Sequence, residues 1–222
     1  HKYLQNHRRE SLALQGGDES AWFKTFKYFL REVYFLRGVL MKRTNEFRLR
    51  PTKEQEKVLF SLCEMSTVLW NKLNYIRRQA FFEWRFDWRK GVRELYDEFK
   101  RILGSAMAQQ VIRKNDEAWR SFLALLRLKR QENLPPNIRK VSPPRYWKDR
   151  LLNKRKLMTI IRNDCYKIIE ENWKKYLILP KGLKIRITGE AKWQGKQGRL
   201  EIFYDDLTGR WHAPGCRGYI LW

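Results

Sequence analysis

Cysteine and histidine are scarce in this chain, at three residues each out of 222. Cys63, Cys165 and Cys216 lie far apart and are odd in number, and neither a Cys-x-x-Cys pair nor a spaced His pair occurs. That pattern argues against a zinc site and suits a reducing cytoplasm. A Gly-rich phosphate loop, a Ser/His/Asp order and a Cys/His pairing are also missing. No uncharged apolar run approaches the roughly 20 residues of a membrane span. The N-terminus has no compact apolar stretch with a small-residue cleavage site, so it does not read as a signal peptide. Acidic residues are the last shortage: 24 Asp and Glu stand against 48 Lys and Arg, a net charge of +24.

Such an excess costs self-repulsion in a compact state, and a polyanion relieves it through counterion release. Residues 1–40 hold seven Lys/Arg and four Asp/Glu, leaving +21 on the remainder, so the charge is built into the folded part rather than a tail. RNA or DNA is the expected partner. Hydrophobic residues make up 43% and supply a core, and ten Trp, ten Tyr and twelve Phe make the chain strongly aromatic.

Along the chain, Trp22, Phe23, Phe26, Phe29, Leu30 and Val33 predict a helix over 21–38. Met41 resembles a natural start, so residues 1–40 are expected to be an extension, its native status left open. Residues 44–50 alternate, with Phe47 and Leu49 facing inward and Arg48 and Arg50 outward, which predicts a short half-buried strand. Thr52 and Gln55 have the spacing of a capping box. A helix follows on the stripe Leu59, Leu62, Cys63, Leu69, Leu73, Ile76 and Ala80, with Asn71, Asn74, Arg77 and Arg78 outside it. The cluster Phe81, Phe82, Trp84, Phe86 and Trp88 marks its end. A short helix is predicted over 89–102, and Ser105 is a reasonable N-cap for another reaching about Lys129. On that last helix Arg113, Lys114, Arg120, Arg127, Lys129 and Arg130 lie on or beside the face opposite Val111, Ile112, Trp119 and Phe122.

Pro135-Pro136 and Pro143-Pro144 rule out regular helix over 131–150. This linker carries Arg139, Lys140, Arg145, Tyr146, Trp147, Lys148 and Arg150, a mixture that suits phosphate contact with base stacking. Anchoring of Tyr146 and Trp147 to the core accounts for it equally well. Beyond it, Leu183, Ile185 and Ile187 alternate with Lys184 and Arg186, Leu200, Ile202 and Tyr204 mark a second strand, and Asp205–Gly209 turns into a third at Arg210. These strands need a partner, and 44–50 can supply it. The fold class is therefore α+β: a small antiparallel β-barrel-like unit with a helical bundle inserted between its first and second strands.

The order of these features resembles the N-terminal half of TnpB, the OrfB accessory protein of bacterial and archaeal insertion sequences, a relative of compact type V CRISPR effectors. The resemblance rests on Phe47–Gln55, Trp70-Asn71, Ser105 with Gln109, Ala118-Trp119 with Phe122, Pro144-Arg145-Tyr146, Leu179-Pro180 and Gly209–Ala213, and covers about residues 41–213. It implies a wedge domain made of 41–51 and 181–222, a recognition domain over 52–131, and a basic linker and helix over 132–180. Together these would grip a guide RNA and its RNA–DNA heteroduplex and read a short motif in flanking DNA. The family's RuvC-type nuclease domain is expected downstream, and the end at Trp222 reads as a truncation before it.

A two-metal nuclease needs several convergent carboxylates. Asp164, Glu170, Glu171, Glu201, Asp205 and Asp206 are the candidates. Asp205-Asp206 reads as a turn and Glu170-Glu171 as a solvated helical pair, so no catalytic residue, metal or cofactor is assigned. Phosphate contacts are expected from Arg48, Arg50, Arg77, Arg78, Arg113, Arg120, Arg127, Arg186 and Lys192. Asn71, Gln109, Arg145 and Lys148 join them, with Tyr146, Trp147 and Trp193 as stacking residues. The alternatives are a stand-alone basic nuclease or transposase fragment and a membrane-surface protein using 21–38. Homodimerisation through exposed aromatics is left open.

Overall fold

The structure, a computed structural model, describes residues 41–148, 153–190 and 197–220. The expected helix over 21–38, and Lys192 and Trp193, lie outside the described residues. Arg43–Gly218 forms one compact unit. In chain order the described residues comprise β1 (Met41–Arg50), α1 (Lys53–Phe82), α2 (Val92–Leu103), α3 (Ser105–Arg130), β2 (Met158–Ile161), β3 (Lys167–Glu171), β4 (Lys174–Ile178), β5 (Lys184–Thr188), β6 (Gln197–Asp205) and β7 (Arg210–Ile220). The strands make one antiparallel sheet of order β2-β6-β7-β1-β5-β4-β3, with all three helices between the first and second strands. The mixed α and β reading is correct.

The edge strands β2 and β3 are consecutive in the chain, joined by residues 162–166 alone. A connection that short reaches at most about 20 Å, so the sheet must curl until its edges approach. Tyr166 in that connection donates to the Gly198 carbonyl (2.9 Å), and Gln197 Nε2 donates to the Tyr166 carbonyl (2.9 Å). The curled interior holds Phe47, Leu49, Ile161, Leu177, Ile185, Ile187, Leu200 and Ile202, with Leu59 and Cys63 of α1 inserted among them. Burial pushes the Cys63 thiol far above its ordinary value, which keeps it neutral. A second core holds Leu69, Trp70 and Leu73 of α1 against Leu95, Phe99 and Leu103 of α2 and Met107, Ala108 and Val111 of α3.

Two sequence expectations fail here. The expected helix between the linker and residue 180 does not form, and Glu170-Glu171 is not a helical pair. The chain instead forms β2, β3 and β4, and both glutamates sit at the end of β3, opposite Lys175 and Lys174. Also, Ser105 does not cap α3: Gly104 occupies that position without a side-chain bond, and the Ser105 hydroxyl pairs with Tyr96 Oη at 2.9 Å. The capping box at α1 is as expected, with Thr52 and Gln55 bonded reciprocally. Gln55 adds a bond to the Lys184 carbonyl (2.7 Å) that ties the helix start to β5.

Arg77 is the main correction. It is only 1% exposed. Its guanidinium donates to Asn115 Oδ1 (2.7 Å), Asp116 Oδ1 (2.5 Å) and the Trp88 carbonyl (3.3 Å), joining α1, α3 and the segment before α2. Burial pushes its pKa below the ordinary arginine value, the bond to Asp116 and that carboxylate's charge oppose the shift, and Arg120 adds to it. Asn74 is buried too: it accepts from Trp119 Nε1 (2.9 Å) and donates to the Pro144 carbonyl (3.0 Å). Both residues lie off the apolar stripe, but α1 is covered on more than one side.

Removing one partner of a buried ion pair strands the other charge. Asp116→Asn is expected to lower the unfolding free energy by about 3 kcal/mol, measured by urea titration. Gly189 has φ +116°, and a Cβ there would stand 2.9 Å from the Glu46 carbonyl oxygen on β1. Gly189→Ala is expected to cost about 2 kcal/mol, read in the same titration.

Candidate nucleic-acid interface

The outward face of the sheet follows from register. Residues directly opposite share a face. Phe47 and Leu49 point inward, so Arg48 and Arg50 point outward, and Arg50 lies directly opposite Arg186 on β5. Arg186 in turn faces Tyr176 on β4, and Lys184 faces Ile178. Ile178 pairs with Lys167 on β3, and Lys174 pairs with Glu171. One outer surface therefore carries Arg48, Arg50, Arg186, Lys184, Lys174 and Lys167, with Tyr176 among them. Glu46 and Glu171 are the acids on this face: His212 pairs with Glu46, and Lys184 engages Glu171 while lying 4.6 Å over the Tyr176 ring. Like charges directly opposite, as at Arg50 and Arg186, destabilise a sheet.

A second basic surface lies on the helices. Arg77, Trp88, Arg89, Val92, Arg93, Tyr96, Gln109, Ile112, Arg113, Asp116 and Arg120 line an open cleft of about 660 Å³. Arg77 forms part of its lining, and its buried Nε and the neighbouring buried Asn115 Nδ2 have no acceptor in reach. Arg120 stands over the Trp88 ring at 5.8 Å, and Tyr96 accepts a long bond from Gln109 Nε2 (3.5 Å). Asp116 is the acid of the lining and is paired with Arg77. Among the described residues, Arg89, Arg93, Arg113 and Arg120 of this lining are exposed and form no salt bridge. The cleft thus offers donors and positive charge beside two aromatic rings, the combination that receives phosphate and base together.

The linker is strapped across α1. Trp70 Nε1 donates to the Arg145 carbonyl (3.1 Å), Arg78 to the Pro144 carbonyl (2.9 Å), and Asn71 accepts from Trp147 N (2.8 Å). The Trp147 ring stacks on Trp70, centroids 4.4 Å apart and 10° from parallel. The anchoring account therefore holds for Trp147, and Asn71 and Arg78 serve the same strap. Arg78 also lies 5.6 Å over both Tyr146 and Phe82. Arg145, Tyr146 and Lys148 keep exposed side chains.

The structure thus gathers Arg77, Gln109, Arg113 and Arg120 at the cleft, and Arg48, Arg50 and Arg186 on the sheet. Arg127 stands apart, in the last turn of α3 with Lys129 and Arg130, where a helix C-terminus favours cations. Sequence reading missed Trp88, Arg89, Arg93 and Tyr96 as cleft residues. The available signal was the spacing of Arg89, Arg93 and Tyr96, which lie three and four residues apart.

Of the carboxylates named from sequence, Asp164, Glu171, Glu201 and Asp205 are engaged separately. Asp164 pairs with Arg162 and Glu201 with Lys114. Asp205 accepts from Thr208 Oγ1 (2.6 Å) and Leu207 N (3.1 Å), bonds that hold its carboxyl below the usual range and close the β6–β7 turn. Among the described residues, no three His, Cys, Asp or Glu side chains gather as a metal-binding group, and no helix is long and apolar enough to cross a membrane.

No family model matches the chain. It is 44% identical over 173 residues to the TnpB-like protein ORF457 of Acidianus two-tailed virus, a match covering 78% of this chain and 37% of that protein. The chain therefore spans well under half the length of that relative. Identity at this level over 78% of the chain supports membership of the TnpB family.

Proposed function

We propose that this chain binds nucleic acid: a guide RNA and its RNA–DNA heteroduplex or DNA, as the gripping portion of a TnpB-like protein. The observation that carries this reading is the arginine cleft. Four exposed arginines free of salt bridges among the described residues, two aromatic rings and one neutralised acid converge there. The outer sheet face supplies a second row of cations. In this reading the curled sheet is the wedge-like unit and α1–α3 the recognition-like insert. Strand scission would belong to the RuvC-type domain that the family resemblance places downstream. The free thiols Cys63 and Cys165 fit work in the cytoplasm.

Phosphate contacts position the ligand, and base contacts specify it. Binding should therefore depend strongly on salt, with modest intrinsic sequence preference. In filter binding with a structured RNA, affinity is expected to fall by about tenfold or more between low and moderate salt. Arg113→Ala and Arg89→Ala should each reduce the slope of log affinity against log salt by about one, with no change in thermal melting. An affinity that stays flat across the salt range refutes the proposal.

A further inference from the structure

The β3–β4 hairpin turns through two residues, since Glu171 pairs with Lys174. Those residues, Asn172 and Trp173, have φ of 49° and 61°. Two positive values define the type I′ turn, whose second position ordinarily demands glycine. Asparagine tolerates this region; a bulky aromatic residue there is a genuine outlier. Trp173 is 96% exposed, the most exposed of the large hydrophobic residues described, and makes no aromatic contact among the described residues. The hairpin therefore carries a residue that opposes its own turn and buries no surface.

The surroundings indicate what the ring meets. Lys174 follows it directly and shares the outer sheet face with Arg48, Arg186 and Lys167, while the neighbouring acid Glu171 is engaged by Lys184. A flat indole at the end of a basic face matches a base attached to a phosphate chain, because every base has a π-face on which to stack. We propose that Trp173 stacks on an unpaired or terminal base of a nucleic acid lying along this face. The inference rests on the nucleic-acid reading above and adds a base-contacting site at the hairpin tip.

The test compares the full chain with Trp173→Gly and Trp173→Phe, using a short thymidine oligonucleotide that carries one 2-aminopurine. Glycine suits the turn, so Trp173→Gly should raise the melting temperature by about 2–4 °C. The same variant should weaken binding by about tenfold and reduce quenching of the 2-aminopurine, with an unchanged salt slope because no cation is lost. Trp173→Phe should retain most of the affinity. Wild-type binding with undiminished affinity in Trp173→Gly overturns the stacking site and leaves the cationic grip standing. A lower melting temperature assigns Trp173 to folding instead, and loss of self-association in sedimentation assigns it to contact between copies; either overturns the proposal. Failure of the wild-type chain to bind the oligonucleotide at low salt removes both readings.

Discussion

One helix is shared by two cores, and the arrangement of the basic surfaces depends on it. The thirty residues of α1 place Leu59 and Cys63 inside the curled sheet and Leu69, Trp70 and Leu73 among the helices. A straight helix of that length runs about 45 Å, so it acts as a spine that neither half can shift without the other. Gln55 fixes its start to β5, and Arg77 fixes its far half to α3. The α3–β6 ion pairs, Lys114 with Glu201 and Arg199 with Glu117, close the same frame from the other side. Surface pairs of this kind contribute little individually; the two hydrophobic cores hold the geometry.

Within that frame the positive charge is handled in two ways. Arg77 is taken inside and neutralised, where it organises the cleft from beneath. The other cleft arginines and the sheet cations remain at the surface, some of them placed against one another. Arg50 opposite Arg186 gains nothing for the isolated fold. A polyanion across that row would turn the repulsion into shared attraction.

Much of the fold was legible from periodicity. The alternation of 44–50, the capping box at Thr52 and the helical insertion between strands all reflect short-range patterns that survive in the tertiary structure. The region from Met158 to Ile178 was not legible for the same reason. Met158–Ile161 is a short run buried on both faces, which periodicity alone does not separate from helix. Ile168, Ile169, Trp173, Tyr176 and Leu177 recur at near-helical spacing, and the turn between them lacks the glycine that would announce a hairpin. The candidate site was half legible. Clustered cations on α3 could be read along one helix, whereas the burial of Arg77 depends on Asp116, 39 residues away, and the cleft depends on how α2 meets α3.

The strap over α1 has a consequence for how the molecule can diverge. Trp70, Asn74 and Arg78 hold it by the carbonyl oxygens of Pro144 and Arg145, in addition to the ring contacts of Trp147 with Trp70 and of Tyr146 with Arg78. A backbone carbonyl is present whatever residue carries it. Positions 145 and 148 can therefore exchange one chemistry for another while the path of the chain stays pinned, giving an interchangeable set of contacts on a fixed mount.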